Sequence, residues 1–227
     1  MYIKFFKRFF DIVLSLFSLI VLAPLLLILT VIGAAVMHGN PFFVQERPGK
    51  DEKIFKLIKF RTMSNKKDEN GNLLPDEQRL NKYGIWLRKI SFDELLEIIN
   101  ILKADMSIVG PRPQLVRDMV FMTDEQRRRH TVRPGLTGLA QVNGRNSISW
   151  EERLAWDLKY IDNITFIGDV KIILLTVKTA LIRHDGITEE NSATSEDLGD
   201  YLLHKGEVDK DVYDKKQCEA KELMKIF

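Results

Sequence analysis

The sequence has a single cysteine, Cys218, so a disulfide within the chain is excluded and a cysteine-based zinc site finds no support. Histidine is scarce as well. His38, His130, His184 and His204 are scattered and keep no metal-ligand spacing. An excess of one charge is also missing. The net charge is +2, which argues against a nucleic-acid partner. No internal repeat is visible. What is present is 45% hydrophobic residues in a chain of 227, enough for one packed domain with an appendage.

Charge vanishes altogether from Ile12 to Met37. An apolar run beyond about 18 residues reads as membrane-embedded. A secretory signal fits poorly, because the run is too long and Met37-His38-Gly39 lacks a cleavage pattern. A buried core helix fits poorly, because the segment is apolar on all sides. Two geometries remain, a straight span and a re-entrant hairpin. As one helix the run covers about 39 Å against a hydrocarbon core of about 30 Å, so a tilted span is long enough. Pro24 sits near its middle. There a proline removes a hydrogen bond and clashes with the preceding turn, at about 3 kcal/mol. The half after it reaches only about 20 Å. Lys4, Lys7 and Arg8 precede the run, and Arg47, Lys50, Lys53, Lys56 and Lys59 follow it. Basic residues favour the cytoplasmic side, so both ends are expected there and a helix broken at Pro24 is preferred.

After about Asn40 the chain reads as a soluble domain. Phe42 to Val44 and Ile54 to Ile58 are expected strands, and Lys66 to Gln78 an expected loop. Ile85 to Leu102 reads as helical with a break near Ser91. Thr123 to His130 and Trp150 to Ile161 read as further helices. Ile164 to Ile182 is amphipathic, which suits either a core or a membrane surface. From His184 onward the chain is charged and poor in apolar residues, as in a peripheral helix or a partly disordered tail.

Ser91-Phe92-Asp93-Glu94 has the spacing of a capping box at a helix start. Asp93 then lies in the first turn, where the helix dipole favours negative charge. Asp93, Glu97 and Asn100 share one stripe of that helix. Further on, Gly110-Pro111-Arg112-Pro113 holds a guanidinium between two prolines. A stiff arginine suits phosphate. Arg133 to Gly138 and Gln141 to Asn146 place more arginines on glycine-bearing loops, whose backbone amides can cradle anions. A surface turn is the plain alternative for each fragment. Together they put acids at a helix start, fixed arginines and glycine loops beside a membrane.

Lys59-Phe60-Arg61-Thr62-Met63, Ser91 to Leu95, Lys103 to Pro113, Arg133 to Gly138 and Ala140 to Asn146 follow one another in that order. In order and spacing the chain resembles the small monotopic phosphoglycosyl transferases, the bacterial sugar transferase family, over roughly Tyr2 to Arg183. The resemblance implies transfer of a sugar 1-phosphate from a UDP-sugar donor to undecaprenyl phosphate, with release of UMP. Such a step starts the assembly of a capsule, exopolysaccharide, O-antigen or glycoprotein glycan. It implies that Asp93 is the nucleophile and carries an acyl-phosphate intermediate. It implies that Glu94 binds Mg²⁺, and that Lys59, Arg88, Arg112 and Arg145 contact substrate phosphates. Asp157 matches a further polar position of that phosphate site.

The fold expected is α+β and predominantly helical. A re-entrant membrane helix broken at Pro24 (1–39) precedes a small cytoplasmic catalytic domain with amphipathic interface helices and few short strands (40–183). A charged extension follows (184–227). The implied location is the bacterial inner membrane, with the catalytic domain on its cytoplasmic face amid membrane lipid. Ala23 replaces the serine of the family's Ser-Pro pair, and Leu96 replaces a proline. A homo-oligomer stays open. A non-catalytic membrane adaptor that binds anionic lipids through Arg127-Arg128-Arg129 is the alternative.

Overall fold

The structure, a computed structural model, describes residues 2–144, 148–182 and 196–225. A π-helical turn at Tyr2–Phe6 leads into one long helix, α1 (Lys7–Met37). α1 is long and apolar enough to cross a membrane, with a mean hydropathy of 3.0 and 17% of its apolar window buried. Phe17, Ile20 and Val21 near its middle are 65%, 67% and 57% exposed, so this stretch has no protein cover. The helix runs through Pro24, where a break was expected. A proline deletes one backbone bond, but its fixed φ is itself helical, so the turns persist around it.

Both halves of α1 touch the same domain. Before Pro24, Arg8 donates to the carbonyls of Ile101 and Leu102 at 2.6 and 3.1 Å. Asp11 accepts from Ser107 Oγ at 3.1 Å and from the Ile108 N–H at 2.9 Å. After Pro24, Leu25, Leu26 and Leu29 pack with Phe60, Leu87 and Leu96. Tyr83 Oη donates to the Leu29 carbonyl at 3.0 Å.

The domain opens with an antiparallel hairpin, β1 (Phe42–Pro48) and β2 (Ile54–Phe60), in register from Phe42 opposite Phe60 to Pro48 opposite Ile54. Two helices follow, α2 (Asp76–Arg79) and α3 (Lys82–Lys89). The Asn81 side chain starts α3 by accepting from the Gly84 N–H at 2.8 Å. A Cβ on Gly84 would stand 1.9 Å from the Thr62 carbonyl oxygen, so α3 lies flush on the segment that leaves β2. The expected break follows. Ser91 is left-handed at φ 57°, a 3₁₀ turn covers Phe92–Glu94, and α4 (Glu97–Leu102) comes next. The expected capping box is absent, because Ser91 caps nothing and Glu94 turns to cations instead.

β3 (Ser107–Val109) pairs in parallel with β4 (Gly135–Thr137). A Cβ on Gly135 would lie 2.1 Å from the Gly110 nitrogen, so only glycine permits this approach. Between the two strands lie α5 (Val116–Met119) and α6 (Asp124–Arg127). After them come α7 (Leu139–Val142), α8 (Trp150–Asp162) and α9 (Phe166–Ile182). Ser149 and Glu152 form a reciprocal cap at the start of α8. In the extension, α10 (Leu198–His204) and α11 (Lys210–Lys225) are docked rather than loose. Leu198 and Ala220 are buried with Val116, Phe121, Trp150 and Leu154. Their apolar stripe is narrow and diluted by charge. The fold is α+β and mostly helical, and the described residues contain two sheets of two strands each.

Candidate active site

Five elements converge beside α1. Lys59 is the penultimate residue of β2, Arg88 lies in the last turn of α3, and Arg112 follows β3. Asp93 and Glu94 occupy the 3₁₀ turn, and Glu97 begins α4. Asn100 is fully buried and fixes α4 on β2. It donates to the Lys56 carbonyl at 2.8 Å and accepts from the Ile58 N–H at 3.1 Å. This sets Lys59 against the acids of the turn.

Lys59 Nζ lies 2.8 Å from Glu94 Oε1 and 3.0 Å from Glu97 Oε1. Arg112 reaches the same Glu94 with both terminal nitrogens, Nη2 at 2.5 Å and Nη1 at 3.4 Å. Burial pushes the Glu94 carboxyl up, but the charges and hydrogen bonds of Arg112 and Lys59 outweigh it and hold the group well below the carboxylate range. Glu97 is more deeply placed, with 3% of its side chain exposed. Burial pushes its carboxyl up, and Lys59 offsets only part of that.

Asp93 is half-buried, and none of the described residues donates a hydrogen bond to its carboxylate. Burial first, and the neighbouring Glu94 charge second, push its carboxyl up to about 6, against the pull of Lys59, Arg88 and Arg112. Such an acid is mostly ionised near neutral pH. Arg88 donates from Nε to Thr62 Oγ1 at 3.0 Å, which places its charge near Asp93. The arrangement is a half-buried carboxylate ringed by Lys59, Arg88 and Arg112, which suits chemistry on a phosphorylated substrate.

Residues 2–183 match the family described as Bacterial sugar transferase. The chain belongs to that family. It is a phosphoglycosyl transferase. This sugar transferase is 47% identical over 191 residues to the "Uncharacterized sugar transferase EpsL" of Bacillus subtilis, covering 84% of this chain and 94% of the relative. It is 35% identical over 193 residues to the "Exopolysaccharide production protein ExoY" of Sinorhizobium fredii, covering 75% and 83%. It is 34% identical over 204 residues to the "Undecaprenyl-phosphate galactose phosphotransferase" of Salmonella typhimurium, covering 81% of this chain and 42% of the relative.

The transferase has a second layer that the sequence did not reveal. Arg129 and Asp157 form a buried pair, with 1% and 2% of their side chains exposed. Arg129 holds Asp157 Oδ2 from Nε at 3.0 Å and from Nη2 at 2.7 Å, and Nη2 also donates to the Arg112 carbonyl at 2.6 Å. Asp157 was expected among the phosphate contacts. It stands one layer behind, because Arg129 occupies its carboxylate. Arg145 lies outside the described residues. The basic run of the adaptor alternative is divided among internal partners. Arg127 pairs with Glu52, Arg128 with Glu125 and Asp162, and Arg129 with Asp157. Arg129 is thereby withdrawn from any lipid head group. Nothing in a triple-arginine run marks which member is buried.

Proposed function

We propose that this transferase moves a sugar 1-phosphate from a UDP-sugar to undecaprenyl phosphate, releases UMP, and passes through a phosphosugar on Asp93. The carrying observation is the half-buried Asp93 carboxylate, without a hydrogen-bond donor among the described residues, beside a Glu94 gripped by two cations. In the first step an Asp93 oxygen attacks the phosphorus that bears the sugar. The bond from that phosphorus to the UMP oxygen breaks, and UMP leaves with the electron pair. In the second step an oxygen of the lipid phosphate attacks the same phosphorus. The acyl–phosphate bond breaks, Asp93 is restored, and a lipid-linked diphosphate sugar is formed. Lys59, Arg88 and Arg112 would offset the charge that accumulates between carboxylate and phosphates. The name of the Salmonella typhimurium relative supports the lipid acceptor, and that of the Sinorhizobium fredii relative supports a role in exopolysaccharide assembly.

Magnesium fits this site as an ion shared with substrate. Among the described residues no group of three or more metal-binding side chains stands ready to hold it alone. Glu94 has 17% of its side chain exposed and could supply one carboxylate, with phosphates and water completing the shell. Its oxygens already serve Lys59 and Arg112, so binding would release one of these cations toward phosphate. When bound, magnesium would neutralise charge on the diphosphate.

The reading includes a re-entrant anchor on the cytoplasmic face of the inner membrane. Contact of both α1 halves with one domain supports it. The decisive experiment uses wild-type enzyme and Asp93→Asn with UDP-sugar alone. Mass spectrometry should find the sugar-phosphate mass on the peptide containing Asp93 in wild type only. An unmodified peptide, or full UMP release by Asp93→Asn, would refute the reading. A panel of UDP-sugars would then identify the donor.

A further inference from the structure

Positive charge exceeds negative charge around Arg112. Glu94 matches Arg112, and Asp157 matches Arg129. Asp118 is buried nearby, its two oxygens accepting from the backbone N–H groups of Leu115 at 2.9 Å and Leu198 at 3.0 Å, and its charge acts on Arg47 and Arg153 without forming a salt bridge to either. These two arginines have no such match. Arg47, on β1, lies across the turn from Arg112 to Gln114. Its Nη1 donates to the Pro113 carbonyl at 3.2 Å and its Nη2 to Gln45 Oε1 at 2.6 Å, both neutral acceptors. Its Nε is covered and has no partner. Arg153, on α8, lies with its guanidinium 4.6 Å over the Trp150 ring. Among the described residues no carboxylate forms a salt bridge with either. Burial first and the Arg112 charge second push both guanidiniums below the ordinary arginine range, against the pull of Asp118 on both, of Glu97 and Glu94 on Arg47, and of Asp157 on Arg153. The Gln114 side chain is buried as well, and its Nε2 amide has no acceptor.

A covered guanidinium is stable when a carboxylate neutralises it, as Asp157 does for Arg129. Two unmatched ones beside a third repel one another and favour an arriving anion. The unused donors at Arg47 Nε and Gln114 Nε2 add unspent hydrogen-bonding capacity. These groups are neutral or positive, so a metal ion or a sugar hydroxyl alone would leave the charge excess in place.

We infer that Arg47, Arg153 and the Gln114 amide form an anion subsite beside Arg112 that takes a phosphate monoester dianion, separate from the phosphate presented to Asp93. The choice of ligand rests on the proposed transfer reaction. Two groups of this chemistry pass through it, the phosphate of departing UMP and the phosphate of the lipid acceptor. UMP is the expected occupant. While the phosphate that bears the sugar is at Asp93, the second phosphate of the donor needs cations of its own.

The test uses the full chain in detergent with Asp93→Asn, so that ligands bind without turnover. UMP and undecaprenyl phosphate are titrated separately, before and after adding Arg47→Gln or Arg153→Gln. Each addition should weaken UMP about tenfold, the effect of losing one charge-assisted contact, and Arg47→Lys should recover part of it. Weakening of undecaprenyl phosphate instead keeps the subsite and assigns it to the acceptor. Unchanged affinity for both ligands, in variants that unfold as cooperatively as the parent, overturns it. If Arg47→Gln does not fold, Arg153→Gln decides alone, since Arg153 rests on the Trp150 face. Failure of the transfer reading would look different, because wild type would then lack the Asp93 adduct whatever its affinity for UMP.

Discussion

Lys59 stands between two acids that would otherwise repel each other, with Nζ 2.8 Å from Glu94 and 3.0 Å from Glu97. Removing the cation leaves Glu97 buried without its partner. Breaking a buried pair on one side typically costs about 3–5 kcal/mol. Lys59→Met is therefore expected to destabilise the domain by about 3 kcal/mol at neutral pH and to abolish transfer. Adding Glu97→Gln should return at least about 1 kcal/mol, because it removes the stranded charge. Denaturant unfolding of the single and double variants measures the coupling. Strictly additive effects would show that Lys59 does not neutralise Glu97.

Asp93 links activity to pH with a defined sign. Its carboxyl is pushed up to about 6, and in the proposed transfer only the ionised form attacks phosphorus. Adduct formation from limiting UDP-sugar should rise with pH, reach half its plateau near 6, and level off above. Stability runs the other way. A raised carboxyl favours the folded state below its unfolded pKa of about 3.9, and that contribution is lost as pH climbs through the folded value. A shift of about two units corresponds to about 3 kcal/mol. Asp93→Asn should thus be inactive yet more stable than wild type at pH 8, by up to about 3 kcal/mol, with the gap closing toward pH 4. Equal melting at pH 8 would mean that Asp93 ionises without strain.

Much of the frame was legible in the chain. The apolar run, the two strands near Phe42 and Ile54, the break near Ser91 and the helix from Trp150 carry local signals strong enough to survive folding. β3 and β4 do not, because three residues cannot show alternation. The Ser91–Glu94 box was misread for an energetic reason. A bond from Lys59 or Arg112 to the Glu94 carboxylate joins two charges and outcompetes a neutral backbone N–H. The motifs named Asp93, Glu94, Lys59 and Arg112. Nothing local distinguishes buried Arg129 from its exposed neighbour Arg128, since only the distant Asp157 makes that burial tolerable.

Asp157 should behave as a positioning residue. Through Arg129 it holds the Arg112 carbonyl, and so the backbone that aims Arg112 at Glu94. Asp157→Asn strands a buried guanidinium, with an expected loss of about 3 kcal/mol or more. The surviving folded enzyme should show a raised KM for the UDP-sugar together with a lowered kcat. Arg129→Lys should rescue poorly, because one ammonium cannot serve both Asp157 and the Arg112 carbonyl in the same plane. A KM equal to that of wild type in folded Asp157→Asn would confine the pair to stability.

The anchor makes the most direct prediction about geometry. Arg8 and Asp11 bind the end of α4 and β3, while Leu29 accepts from Tyr83 beyond Pro24. Both ends of α1 are thereby tied to one domain, and its exposed middle at Phe17, Ile20 and Val21 is left for lipid. A straight crossing would carry Arg8 away from Ile101 by the thickness of the hydrocarbon core, about 30 Å. Exposed Cys218 is first replaced by serine, and single cysteines are then placed at Tyr2 and at Phe43, which is 43% exposed. In intact cells a membrane-impermeant thiol reagent should label neither position, and in inverted vesicles it should label both. Tyr83→Phe removes the tie to Leu29 and should cost about 1 kcal/mol without changing that pattern. Labelling at residue 2 from outside the cell would place the two halves of α1 on opposite faces, and the contacts of Arg8 with α4 could not then exist in the membrane.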